Sequence, residues 1–139
     1  MASSAIPLLF PAVAMGEGHY GEHDVQEAAR ALTGWDVRYP EGAVFLPKRH
    51  DHGEKRVLGT RARLDLDGLV DLILEREDCA RWIAGRILHY FEGREPAPER
   101  AERYGDVLRD ADYELEPLLR ALFLDPDFYG EDVVGTRIA

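Results

Sequence analysis

Histidine and carboxylate side chains crowd two short stretches of this chain. One is His50-Asp51-His52 with Glu54; the other is Glu17, His19, His23 and Asp24. Imidazole nitrogen and carboxylate oxygen are the ligands of zinc, manganese and iron, and a loop can aim two or three of them at one ion. A mononuclear centre would use His50 and Asp51, completed by His19 and His23 if the two stretches meet. Zinc or manganese would then be the cofactor; without that convergence no cofactor is expected. The spacing matches no standard catalytic motif, and there is no His-Glu-x-x-His on a helix. A plainer reading stands beside it and carries more weight. Asp51 makes an Asx-turn, Gly53 takes a positive φ, both loop histidines stay in water, and Asp24 serves the helix dipole. Lys55 then forms a loop salt bridge with Asp51.

Other catalytic devices are missing. No Gly-rich phosphate loop, Gly-x-Ser-x-Gly elbow or Cys-His pairing occurs. Ser3 and Ser4 are the only serines and lie in the ragged N-terminus, which excludes serine-nucleophile chemistry within this chain. Cys79 is the only cysteine, so an intrachain disulfide and a Cys-rich zinc site are excluded; on an apolar helix face it reads as a buried structural thiol. Arg120 and Arg137 have the chemistry to hold an anion, but Arg120 lies opposite an apolar stripe and pairs with surface acids. His89, before Tyr90-Phe91, reads as a surface or partly buried helix residue.

The elements that must position these residues are mostly helices. Gly21 is an acceptable N-cap, with Glu22 and Asp24 on the first turn. Val25, Ala28, Ala29 and Leu32 repeat at helical spacing, and Gly34 reads as the C′ residue with Trp35 folding back over Ala29. Ala43-Leu46 and Arg56-Leu58 are short, β-prone and separated by Pro47 and the polar loop, which predicts one hairpin near residues 43–58. Leu66, Leu69, Val70, Ile73 and Leu74 form one buried stripe, with Asp65 or Asp67 as cap. Cys79, Trp82, Ile83, Ile87, Tyr90 and Phe91 form the next, ended by Gly93. Pro98 starts a fourth helix carrying Tyr104, Val107 and Leu108, and Leu115-Phe123 is the fifth, broken by Asp125-Pro126. The expected fold is mainly α: about five amphipathic helices packed as an irregular bundle with one short β-hairpin. An apolar arm over residues 1–15 precedes a single helical domain over 16–139.

Composition bounds the function. A chain of 139 residues suits one domain, and 45% apolar with 32% charged residues is ordinary for a globular protein. A net charge of -10, with basic residues scattered among acids, argues against a nucleic-acid surface. No segment has the roughly 18 apolar residues of a membrane span. Ala5–Met15 is apolar but carries Pro7 and Pro11 and has no basic residue before it, so it only mimics an export signal. The chain taken alone reads as cytoplasmic.

The order of the pieces resembles the bacterial domain-of-unknown-function 1800 family. Gly16-Glu17-Gly18-His19-Tyr20, Asp24-Val25 and Glu27-Ala28-Ala29-Arg30-Ala31-Leu32-Thr33-Gly34-Trp35 carry the likeness, followed by Phe45, His50-Asp51, Gly53, Lys55 and Leu58-Gly59. It continues through Asp67, Asp71-Leu72-Ile73-Leu74, Cys79-Ala80, Ile83 and Tyr90-Phe91 to Leu118-Leu119-Arg120-Ala121-Leu122-Phe123 and Pro126-Asp127-Phe128-Tyr129. His52 stands outside the pattern. The resemblance implies a larger protein, several hundred residues long with helices on both sides, of which this chain would be a fragment or short form. It also implies a bacterial envelope or exported location, and it brings no established chemistry. The expected role is a non-catalytic structural or protein-interaction module, joining a protein partner or a second copy through residual apolar helix faces. The alternative is a metal-dependent hydrolase or oxidoreductase fragment using the His/Asp loop.

Overall fold

The computed structural model describes residues 18–135. The expected arm over residues 1–15, together with Glu17 and Arg137, lies outside the described residues. The chain divides into two compact units, one up to Ile73 and one from Leu74.

In the first unit, helix α1 spans Glu22–Ala31. Its N-cap is Gly21, whose N–H is accepted by Asp24 Oδ2 at 2.9 Å, half of a capping box. Val25, Ala28 and Ala31 are its buried side. Two antiparallel ribbons follow, β1 (Trp35–Arg38) with β2 (Gly42–Phe45), and β3 (Lys55–Val57) with β4 (Thr60–Ala62). Helix α2, Leu66–Leu74, buries Leu69 and Ile73, and Asp65 caps it by accepting the Gly68 N–H at 3.0 Å.

The expected hairpin between Ala43–Leu46 and Arg56–Leu58 does not form. Each half pairs with a nearer neighbour. Trp35 sits opposite Phe45, their ring centroids 5.3 Å apart, so Trp35 begins a strand. Val57 pairs with Thr60 across Leu58 (φ 51°) and Gly59 (φ 83°), the two left-handed residues that a type I′ turn requires. A leucine in that conformation hid the turn from the sequence.

The second unit is all helix. α3 (Glu77–Glu92) ends at Gly93 with φ 68°, α4 spans Pro98–Asp110 with Pro98 in its first turn, and α5 spans Leu115–Leu124. A short 3-10 turn, Pro126–Tyr129, follows. Ala84, Leu88, Tyr104, Leu108, Leu118 and Leu122 form its core. α3 and α4 approach backbone to backbone: a Cβ on Gly105 would lie 2.9 Å from Arg81 Cα. Cys79 is fully buried, and burial pushes its thiol up, away from the reactive thiolate. With five α-helices and two small ribbons among the described residues, the protein is mainly α, and none of those helices is long and apolar enough to cross a membrane.

Candidate functional site

Strand alternation sets the chemistry of the polar loop. Lys55 and Val57 face the buried side of β3 while Arg56 faces out. A lysine therefore occupies a core position, with 1% of its surface exposed. A buried ammonium needs acceptors. The loop supplies them by folding round it, and Lys55 Nζ donates to Asp51 O and to Gly53 O, the latter at 3.0 Å. The expected Lys55–Asp51 carboxylate pair is replaced by these carbonyl bonds, because the carboxylate is engaged elsewhere.

Arg30 engages it. Its Nε donates to Asp51 Oδ2 at 2.8 Å, and its Nη1 to Glu27 Oε1 at 2.8 Å and to Glu54 O at 3.3 Å. Asp51 Oδ1 accepts the Gly53 N–H at 2.8 Å, the expected Asx-turn. The Arg30 hydrogen bond, then the Gly53 amide, hold the Asp51 carboxyl down to about 2. Arg30 and the Arg56 amide likewise lower Glu27, and Asp51 with Glu27 raises Arg30 beyond its ordinary range. Gly53 does not take the expected positive φ. A Cβ there would lie 2.9 Å from Asp51 Oδ1 and 3.0 Å from Arg30 Nη2, so a larger residue would push against that hydrogen-bonded pair.

The other motif residues lock the same loop to the helix. Asp24 Oδ1 accepts the Leu58 N–H at 2.7 Å, holding the left-handed turn, and Glu27 Oε2 accepts the Arg56 N–H at 2.8 Å. Residues 24, 27 and 30 recur every three positions along one side of α1. Thr33 Oγ1 donates to Arg30 O and accepts the Asp51 N–H, each at 2.7 Å. Gly34, at φ 92°, has no room for a Cβ between Phe45 and His50.

The loop histidines are not simply in water. His50 is half-buried and its Nδ1 lies 2.9 Å from Thr33 O; His52 Nε2 lies 3.2 Å from Pro47 O. A carbonyl only accepts, so both ring nitrogens carry the proton. The two rings stand edge to face at 4.8 Å. His19 and His23 are exposed near the start of α1. Among the described residues no group of three or more His, Cys, Asp or Glu side chains is arranged to hold a metal.

A second charged cluster, in the other unit, has no counterpart in the sequence reading. Glu92 is fully buried and accepts from Arg100 at 2.7 and 3.0 Å. Arg100 also donates to Asp125 Oδ2 at 2.9 Å, which takes the Tyr104 hydroxyl at 2.7 Å and Arg103 at 2.5 Å. Burial would raise Asp125, but Tyr104, the Asp127 amide and Arg100 hold it down to about 2. Burial and that carboxylate push Tyr104 up to about 12. The signal in the sequence was indirect: acids and arginines at positions that the helical period places inside.

A mainly α domain stapled through a charged helix-and-loop motif is thus the class of protein on view. The family model described as "Protein of unknown function (DUF1800)" matches residues 13–139, and the chain belongs to that family. No curated protein and no solved structure matches it.

Proposed function

We propose that this chain is a non-catalytic interaction module. The observation that carries this reading is the commitment of the motif's charges to the fold. Asp24, Glu27, Arg30 and Asp51 are all held by hydrogen bonds that fasten loop to helix. Using Asp51 as a metal ligand or base would cost its bonds to Arg30 and Gly53. Apolar surface meanwhile stays open. On the β1–β2 ribbon Val37 is 80% and Tyr39 99% exposed, and Leu124 and Tyr129 are also exposed. Surface of this kind, rimmed by polar residues, suits association with a second copy or another protein.

Sedimentation velocity over a range of concentrations, with metal content measured on the same untagged sample, tests the reading. The expected result is association that weakens on dilution and is lost when Val37→Ser and Tyr39→Ser are combined. A monomer at every concentration, holding stoichiometric metal that His50→Ala removes, overturns it in favour of a metal-dependent enzyme fragment.

A further inference from the structure

The basic residues are not spread evenly along the chain, since six of the 17 fall between residues 48 and 63. Residues 48–63 carry six Lys or Arg against Asp51 and Glu54, a surplus of four positive charges in a chain of net charge -10. The fold places part of this surplus around one cleft of about 250 Å³, lined by Phe45, His50, His52, Lys55, Arg63 and Asp65. Four of these six residues offer nitrogen.

Among the described residues their hydrogen bonding leaves capacity unused. Lys55 Nζ has three N–H groups and commits two of them, to Asp51 O and Gly53 O. His50 and His52 each use one ring nitrogen on a backbone carbonyl, which fixes the ring and leaves the other nitrogen uncommitted. Arg63 is exposed and makes no hydrogen bond or ion pair among the described residues. Asp65, the one acid, gives Oδ1 to the helix cap at Gly68. The positive charges of Lys55 and Arg63 disfavour a divalent metal, and a guanidinium together with an ammonium is the recognised chemistry of oxyanions.

We propose that the Phe45–His50–His52–Lys55–Arg63 cleft binds a single oxyanion group, phosphate or carboxylate. Lys55 is the buried anchor, positioned by the loop it organises; Arg63 closes over the ligand from the rim; Phe45 forms the apolar wall. The group reaches the cleft either as a small free anion or as the acidic side chain of a partner. This site does not depend on the association reading, since a monomer would hold the anion equally.

The test is an amide-resolved NMR titration with inorganic phosphate, acetate and a short glutamate-containing peptide, each against sodium chloride of matched ionic strength. Expected are saturable shifts with a millimolar midpoint, confined to residues 45–65. Arg63→Gln lowers the affinity about tenfold, as loss of one charge-assisted hydrogen bond would. Arg61→Gln, an exposed neighbour outside the cleft lining, leaves it unchanged. Saturation by phosphate or acetate assigns a free anion, and saturation by the peptide alone assigns a protein side chain. Shifts no larger than those in chloride overturn the site, as does equal weakening by Arg61→Gln and Arg63→Gln. Arg63 is exposed and makes no hydrogen bond or ion pair among the described residues, so an unchanged amide spectrum of the free Arg63→Gln variant is expected and makes either result readable.

Discussion

Arg30 and Arg100 each hold two carboxylates, in opposite surroundings. Arg30 and Asp51 are more than a third exposed, with Glu27 largely covered beside them, whereas Arg100 is nearly covered and bridges fully buried Glu92 to Asp125. The first arginine ties a loop to a helix through acids that also bind backbone amides. The second ties together charges that the helices have already enclosed. Solvent can take over from a lost partner in the first case. In the second, a charge left behind lies away from water, so similar geometry carries different energy.

The chain provides a separate reporter for each case, since Trp35 lies in the first unit and Trp82 in the second. The broadest effect comes from acid. Asp51 and Asp125 both have carboxyls lowered to about 2, so the stability each contributes is complete above the ordinary carboxylate range. It is lost as the pH falls from about 4 to about 2. Fluorescence of each tryptophan, followed in variants lacking the other, should show both units unfolding in this window. Added salt should move the Trp35 transition more than the Trp82 transition; equal movement would erase the contrast.

Next in size, Arg100→Ala should destabilise the second unit by about 3–5 kcal/mol in urea unfolding read at Trp82, because fully buried Glu92 loses its two short hydrogen bonds and keeps Arg94 only at 3.8 Å. A loss below about 1 kcal/mol would mean that water reaches this cluster as it reaches Arg30. Arg30→Ala should destabilise the first unit, read at Trp35, by less than Arg100→Ala destabilises the second, since Arg30 and Asp51 are both more than a third exposed. A loss as large as that of Arg100→Ala would abolish the distinction. The smallest effect, about 1 kcal/mol, is expected for Asp24→Ala, which frees the Leu58 amide and the Gly21 amide. Faster hydrogen exchange at Leu58 would confirm where the loss falls, and unchanged exchange would reassign Asp24 to the helix end alone.

The helices were legible because burial repeats with their period. Leu118 and Leu122, Leu69 and Ile73, and the breaks at Gly93 and Asp125 all stand where spacing and cap chemistry require. Strand pairing was not legible. Val57 could join any neighbour of matching register, and the deciding turn uses a left-handed Leu58 that composition does not announce. Half of the candidate site was readable: the Asx-turn at Asp51 follows from local chemistry. The role of Arg30 depends on contacts between segments more than twenty residues apart, which no local pattern encodes. The local surplus of positive charge was present in the sequence all along, and averaging over the whole acidic chain concealed it.

The lengths of chain between bonded partners set an order of assembly. Asp24 reaches Leu58, Glu27 reaches Arg56 and Arg30 reaches Asp51 across 34, 29 and 21 residues. None of these bonds can form until the intervening chain has closed, and longer closures are slower. Helices α3 and α4 are sequence neighbours separated by one short connector. In a refolding experiment the helix pair around Gly105 should therefore gain protection first, and the amides of Arg56 and Leu58 last.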